Sequence, residues 1–141
     1  MCKGVVESGG VILEKWVVGD AAGLRGFLAG LRRLRLLDPA CGCGDFLLVA
    51  YRELRRLETR ALVALGEVVA ERVGLDQVFG IEISAGAVRV AELGLWLVDR
   101  QCERELAAVT GWAERAAVRP GLLVGNALRV AWSELVPASD D

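Results

Sequence analysis

The sequence has no histidine and only three prolines, and the missing histidine excludes whole classes of function. Without an imidazole the chain cannot form a Ser-His-Asp or Cys-His catalytic site, a histidine zinc site or an imidazole pH switch. Its four cysteines include no CxxC pair, so a zinc ribbon and a thioredoxin-type redox site are also excluded. We therefore expect no metal site and no redox role.

Long uncharged apolar runs are also missing, so we expect no membrane-spanning segment. The first twenty residues do not form a signal peptide, because Glu14 and Lys15 interrupt their apolar stretch. We expect a cytoplasmic protein. The net charge of −2 gives the whole molecule little attraction for nucleic acid. With 141 residues, 54% of them hydrophobic, the chain matches one domain with one core.

Helical and extended apolar patterns alternate along the chain after an irregular segment, residues 1–20. The predicted elements are a helix over 21–33, a strand over 34–37 that ends at Asp38, a helix after Gly44 that Gly74 ends, a strand over 78–83, a helix from an N-cap at Ser84 to Gly111, and a strand over 122–125. Short apolar strands that alternate with helices are typical of a parallel sheet. The sequence therefore predicts an α/β fold.

The connection between the first strand and its helix, residues 38–47 (DPACGCGDFL), is the most informative segment. Open α/β sheets bind ligands at such strand ends, and glycines let the backbone approach the ligand. Asp38 and Asp45 flank the loop, and no Lys or Arg occurs between Pro39 and Tyr51. Because carboxylates repel phosphates, the loop favours a ligand with an ammonium or sulfonium group.

An NAD-binding Rossmann domain is the alternative that this glycine pattern leaves open. Its fingerprint places an acidic residue about 20 residues beyond the glycines. Here Glu82 lies 38 residues after Gly44, beyond a much longer helix. The spacing and the loop charges both disfavour NAD.

Residues 38–47 resemble the DPACGSGNFL motif of S-adenosylmethionine-dependent DNA adenine-N6 methyltransferases of the restriction–modification type. Three further segments are similar to the family's motifs in the same order. They are VAYREL at 49–54, GIEI at 80–83 with AELGLWLVD at 91–99, and GNAL at 125–128. The resemblance covers roughly residues 21–135 and implies a truncated Rossmann-like class I methyltransferase fold.

The resemblance also implies a cofactor, S-adenosylmethionine, and a role for each strand end. Asp38 would accept from the cofactor's ammonium group, Glu82 would accept from both ribose hydroxyls and Asn126 would bond the adenine edge. Ile83 would pack against the adenine ring. The loop backbone that would hold the methionine part belongs to Pro39, Ala40, Cys41, Gly42 and Gly44.

Several residues depart from the family pattern or allow a second interpretation. Asp45 replaces the usual Asn and Ser84 the usual Asp, and we predict that each caps a helix. Phe46 either lies near the cofactor or packs in the core. The residues that we expect to be structural are a solvated basic face (Arg52, Arg55, Arg56 and Arg60), two small residues of a crowded loop (Cys41 and Cys43) and four core or covering tryptophans (Trp16, Trp96, Trp112 and Trp132).

The family's catalytic Asn/Asp-Pro-Pro-Tyr/Phe motif is not present, because Pro39, Pro120 and Pro137 have no proline neighbours. The resemblance therefore implies a partial cofactor-binding domain over residues 21–141 that is inactive alone, with no catalytic residue of its own. DNA is the family's substrate, and this chain would bind it weakly or not at all. The alternative is a non-catalytic or split-subunit module, in which a partner chain completes the sheet beside the first strand.

Overall fold

The structure is a computed structural model that describes residues 20–69 and 71–137. The predicted irregular segment at residues 1–20, and with it Trp16, lies almost entirely outside the described residues. The described elements, in chain order, are α1 (Ala21–Arg33), β1 (Leu36–Asp38), α2 (Asp45–Leu65), a 3-10 turn (Leu75–Gln77), β2 (Val78–Glu82), α3 (Ala85–Thr110), β3 (Gly121–Val124) and the short helix α4 (Trp132–Leu135).

The three strands form a parallel sheet in the order β1-β2-β3, which confirms the predicted α/β class. Asp38 pairs in register with Gly80, and Glu82 pairs with Val124. All three strands therefore end at the same side of the molecule. In the described sheet β1 has a neighbour on one side, so it is an edge strand.

The core lies between the helices and the sheet. Residues of all three long helices and of the strands share one apolar cluster, and a second cluster joins α1 to the C-terminal halves of α2 and α3. The first cluster is centred on Leu47, Tyr51, Leu75, Val78 and Leu95. The second contains Leu24, Leu28, Ala61, Leu62 and Leu106. None of the helices in the described part of the chain is long and apolar enough to cross a membrane.

The helix ends follow local signals, with one correction to the prediction. Ser84 caps α3 as predicted, since its hydroxyl accepts from the amide of Ala87, and Gly111 ends the helix with φ +72°. Helix α2, however, ends at Gly66 and not at Gly74. Gly66 adopts φ +69° and its amide donates to Leu62, which closes the last turn eight residues earlier than predicted.

The predicted solvated face of α2 is wrong at Arg55, which is 1% exposed. Its guanidinium donates to Asp99 at 2.8 Å and also to Glu103 on α3, and it lies 3.1 Å from Glu58 on its own helix. Tyr51 donates to the same Asp99 at 2.6 Å. A buried polar cluster therefore joins α2 to α3, where the sequence pattern indicated solvent.

The segment before β3 extends this cluster. Arg115 donates from its backbone amide to Glu103 at 2.8 Å, and from its guanidinium to the carbonyl of Val73 at 2.7 Å. Burial would raise the pKa of Glu103, but the Arg115 amide and the Arg55 guanidinium lower it to about 2. Burial raises the pKa of Glu58 above its ordinary value, although Arg55 opposes this. We name the set of Tyr51, Arg55, Glu58, Asp99, Glu103 and Arg115 the buried polar cluster.

The described tryptophans agree only partly with the prediction of core or cover. Trp112 packs on the second core cluster. Trp96 and Trp132 are 47% and 44% exposed, and the indole of Trp132 donates to the carbonyl of Ala127 at 2.8 Å. Trp132 thus closes the turn that follows β3.

Candidate functional site

The carboxyl ends of the three strands meet around the end of β2. The amide of Cys41, in the loop after β1, donates to the carbonyl of Ile81 at 3.1 Å. The amide of Gly125, directly after β3, donates to the carbonyl of Glu82 at 2.9 Å. The structure therefore brings the three predicted segments together, with Glu82 at the centre.

Two glycines shape the loop after β1, each for a different reason. Gly42 has φ +53°, and a Cβ at this position would contact nothing within 4 Å, so its glycine is needed for the turn and not for space. Gly44 has φ +89°, and a Cβ there would lie 2.9 Å from the Cβ of Ala91 on α3. Gly44 therefore lets the start of α2 pack closely on α3.

Most backbone amides of this loop have partners inside the protein. Ala40 donates to the carboxylate of Asp38 at 3.0 Å, Gly42 donates to Glu82 and Gly44 donates to the carbonyl of Cys41 at 2.8 Å. Within the described residues the amide of Cys43 has no such partner. Helix α2 begins after Gly44, which has no side chain to cap it, so the amides of its first turn lack a capping side chain. Fewer backbone amides are therefore free to bind a ligand than the prediction for residues 40–44 implied.

Glu82 holds its carboxylate between two segments. One oxygen accepts from the amide of Gly42 at 3.1 Å and the other from the amide of Ser84 at 2.9 Å. The bond from Ser84 lowers the pKa of Glu82 below its ordinary value; burial opposes this effect, and the bond from Gly42 adds to it. At neutral pH the centre of the site therefore carries a fixed negative charge.

The segments after the three strands also carry exposed apolar side chains. Ile83 is 72% exposed and Phe46 is 61% exposed, so the interpretation of Phe46 as a core residue is wrong. Leu128, which was not among the predicted site residues, is 93% exposed and follows Asn126 by two residues. The side-chain oxygen of Asn126 accepts from the amide of Leu128 at 3.0 Å, which fixes the turn after β3. Leu128 could have been predicted as a site residue because it belongs to the GNAL segment, residues 125–128.

The two loop cysteines differ. Cys41 is buried, and a Cβ on Gly80 of the neighbouring strand would lie 2.8 Å from its sulfur, so it fits a crowded site as predicted. Burial raises the pKa of the Cys41 thiol. Cys43 is exposed, and the same prediction is wrong for it. Asp45 does not cap α2, because Gly44 is the N-cap; Asp45 is the first helical residue, where its charge still favours the helix dipole.

The site is an open surface. Pro39, Ala40 and Asn126 are exposed, and Asp38 and Glu82 are half-buried. Three cavities lined by described residues lie elsewhere, the largest of them, about 450 Å³, between α1 and the segment after α2. A ligand at the strand ends would therefore lie across a surface formed by three loops.

Comparisons with known proteins agree on a family. Residues 14–141 match the family model described as "MmeI, DNA-methyltransferase domain". DNA methyltransferase A of Bacillus subtilis is 37% identical over 132 residues, which cover 84% of this chain and 15% of that protein. A putative type II restriction enzyme and methyltransferase of Methanocaldococcus jannaschii is 40% identical over 79 residues, which cover 52% of this chain and 7% of that protein.

A solved structure of the Type IIL restriction–modification enzyme MmeI in complex with DNA has the same fold, with a TM-score of 0.78 and 34% sequence identity. The match covers 89% of this chain and 18% of that one. The chain thus spans less than a fifth of the length of these relatives. On the extent of the family match, this chain belongs to the MmeI DNA-methyltransferase domain family of restriction–modification enzymes.

Proposed function

We propose that the strand ends of this chain bind S-adenosylmethionine, as part of a protein that methylates adenine at N6 in DNA. The observation that carries the proposal is the Glu82 carboxylate, which is held between the loops after β1 and β2 by two backbone amides. A carboxylate oriented in this way can accept from both ribose hydroxyls of a nucleoside.

The charges around Glu82 fit a cationic ligand without phosphate. Asp38 accepts from Ala40 with one oxygen, and its second oxygen has no partner in the described part of the chain. That oxygen can accept from an ammonium group. The loop from Pro39 to Asp45 contains no Lys or Arg. The two carboxylates would therefore repel a pyrophosphate, and no cation of the loop would offset the repulsion.

The other residues would complete the contacts. Ile83 offers an exposed aliphatic face to an adenine ring, and Asn126 offers an amide to the ring's polar edge. The uncapped amides of the first turn of α2, and the amide of Cys43, suit the carboxylate of an amino acid. When bound, S-adenosylmethionine supplies an activated methyl group on its sulfonium sulfur; the residues of this chain bind and orient it.

We propose that these 141 residues alone bind the cofactor without transferring the methyl group. In the family that the sequence resembles, the acceptor base is held by a loop with two adjacent prolines, and none of the three prolines here has a proline neighbour. The reacting groups would then come from a strand paired with the free edge of β1, in another part of the protein or in a partner chain.

Calorimetric titration with S-adenosylhomocysteine tests the cofactor proposal. The wild-type chain should bind it and should not bind NAD. Asp38→Ala and Glu82→Ala should each weaken binding by about 1–3 kcal/mol, since each leaves a polar ligand group unpaired. The matched control is Glu92→Ala on α3, a carboxylate paired with Arg89 away from the strand ends, which should leave binding unchanged. Binding of NAD, or no binding of S-adenosylhomocysteine, would overturn the proposal.

Methyl transfer needs its own assay. The chain is incubated with DNA and methyl-labelled S-adenosylmethionine, and N6-methyladenine is measured in the digested DNA. We expect none from these 141 residues alone. Labelled N6-methyladenine would show that the polypeptide has its own catalytic groups, and a label on cytosine would refute the adenine specificity.

A further inference from the structure

We infer that Glu82 is also a positioning residue, which holds the loop after β1 in its binding conformation before any ligand arrives. This inference deepens the proposed function and rests on it only where ligand binding is measured. In the loop, residues 39–44, Cys41 and Gly44 are buried, but Pro39, Ala40 and Cys43 are exposed and Gly42 is left-handed, so packing fixes only part of the loop.

Hydrogen bonds to β2 hold this loop in place. The bonds from Ala40 to Asp38 and from Gly44 to Cys41 are local and only shape the turn. In the described part of the chain, two bonds connect the loop to the neighbouring strand. One joins the amide of Cys41 to the carbonyl of Ile81, and the other joins the amide of Gly42 to the carboxylate of Glu82. Glu82 thus supplies the side-chain half of this connection.

The same carboxylate reaches the start of α3. Its second oxygen accepts from Ser84, whose own hydroxyl caps the helix through Ala87. The Glu82 carbonyl accepts from Gly125 after β3. One residue therefore sets the relative positions of all three loops that would surround a ligand. Its lowered pKa, caused by the bonds from Ser84 and Gly42, is consistent with these charge-assisted contacts.

Positioning and direct ligand contact are compatible in one carboxylate. An ionised carboxylate has about four acceptor positions, and the two amides use one on each oxygen. The remaining positions can accept from two hydroxyls. Substituting Glu82 should therefore damage the site in two separable ways, by loss of the hydroxyl contacts and by loss of the loop conformation.

The first test needs no ligand. In ¹H–¹⁵N spectra of the 141-residue chain, the amide protons of Gly42 and Ser84 should lie downfield and should both shift as the Glu82 carboxylate titrates below its ordinary pKa. Glu82→Gln should abolish both titrations, and Glu82→Asp, which is one methylene shorter, should reduce them. The amide of Gly111, which donates to the carbonyl of Ala107 at the far end of α3, should not change in any variant and serves as an internal control. Glu92→Gln is the surface control.

The second test separates positioning from ribose contact. Wild type and Glu82→Gln are each titrated with S-adenosylhomocysteine and with its 2′,3′-dideoxy analogue. If Glu82 only contacts the hydroxyls, the substitution will not change the affinity for the dideoxy analogue. If it also positions the loop, about a threefold to tenfold loss should remain, because one charge-assisted bond of the loop is gone.

These outcomes are distinguishable from failure of the proposed function. Absence of S-adenosylhomocysteine binding by the wild-type chain would refute the cofactor proposal, while the ligand-free spectra would still decide the role of Glu82. A Gly42 amide that ignores the Glu82 titration would refute the positioning role, and so would an unchanged affinity for the dideoxy analogue. A Glu82→Gln spectrum with the Gly111 and core amides at their wild-type positions verifies that the variant is folded.

Discussion

The buried polar cluster predicts a large difference between two adjacent arginines of α2. Arg55 is 1% exposed and contacts Glu58, Asp99 and Glu103, whereas the side chain of Arg56 is 53% exposed and contacts Glu53 at 3.0 Å. We expect Arg55→Met to destabilise the chain by about 3–5 kcal/mol, as when one partner of a buried ion pair is removed. Arg56→Met, the matched control, should cost less than about 1 kcal/mol.

The magnitude follows from what Arg55→Met leaves behind. Asp99 keeps Tyr51 and Arg100 as partners, and Glu103 keeps Arg115, but in the described part of the chain Glu58 loses the guanidinium that it pairs with. The buried Glu58 carboxyl can escape by taking up a proton. Taking up this proton costs free energy at pH 7, although burial already raises the pKa of Glu58 in the wild type. The lost hydrogen bonds of the other partners add to it.

Urea unfolding followed by circular dichroism at pH 7 and pH 5 measures the effect. At pH 5 protonating Glu58 costs less than at pH 7, so the deficit of Arg55→Met should shrink. The double variant Arg55→Met with Glu58→Gln should recover part of the loss at pH 7. Equal effects of Arg55→Met and Arg56→Met, or a deficit that does not change between the two pH values, would refute the reasoning.

Three further predictions concern other parts of the structure. Gly44→Ala should destabilise the chain by about 1–3 kcal/mol more than Gly66→Ala in the same unfolding assay; both glycines have positive φ, but a Cβ at Gly44 would collide with α3 and one at Gly66 would meet nothing. Because the pKa of Glu103 is lowered to about 2, its stabilising effect is complete above about pH 5 and is lost as the pH falls towards 2. The stability difference between wild type and Glu103→Gln should shrink over that range, and a constant difference would contradict it. In the folded chain a maleimide should label exposed Cys43 and spare buried Cys41, as peptide mapping can establish; equal labelling would mean that the loop opens.

Most of the fold was predictable because apolar spacing reports which side of an element is buried. The limits of α1 and the N-cap of α3 agree with the pattern. The end of α2 does not, since the pattern cannot tell which of two downstream glycines adopts the left-handed conformation. Arg55 was predicted wrongly for a related reason: the acids that bury it lie 44 and 48 residues away, and spacing within one helix carries no information about them.

The meeting of the strand ends was predictable at the level of segments. Parallel strands end on one side of a sheet, so the loop after β1, Glu82 and Asn126 had to be neighbours. The hydrogen bonds inside the site were not predictable. The bond from Gly42 to Glu82 joins residues 40 positions apart, and it depends on a side-chain conformation that no motif specifies.

The position of β1 has a geometric consequence for any strand that pairs with it. A parallel neighbour at the free edge would lie about 4.8 Å away, and the side chain after its last residue would stand beside Asp38. Pairing of the added strand with β1 would then also place the reacting groups beside the cofactor site. A slip of one residue in that pairing would turn every side chain of the added strand to the opposite face, so the register of the new strand would decide whether chemistry is possible at all.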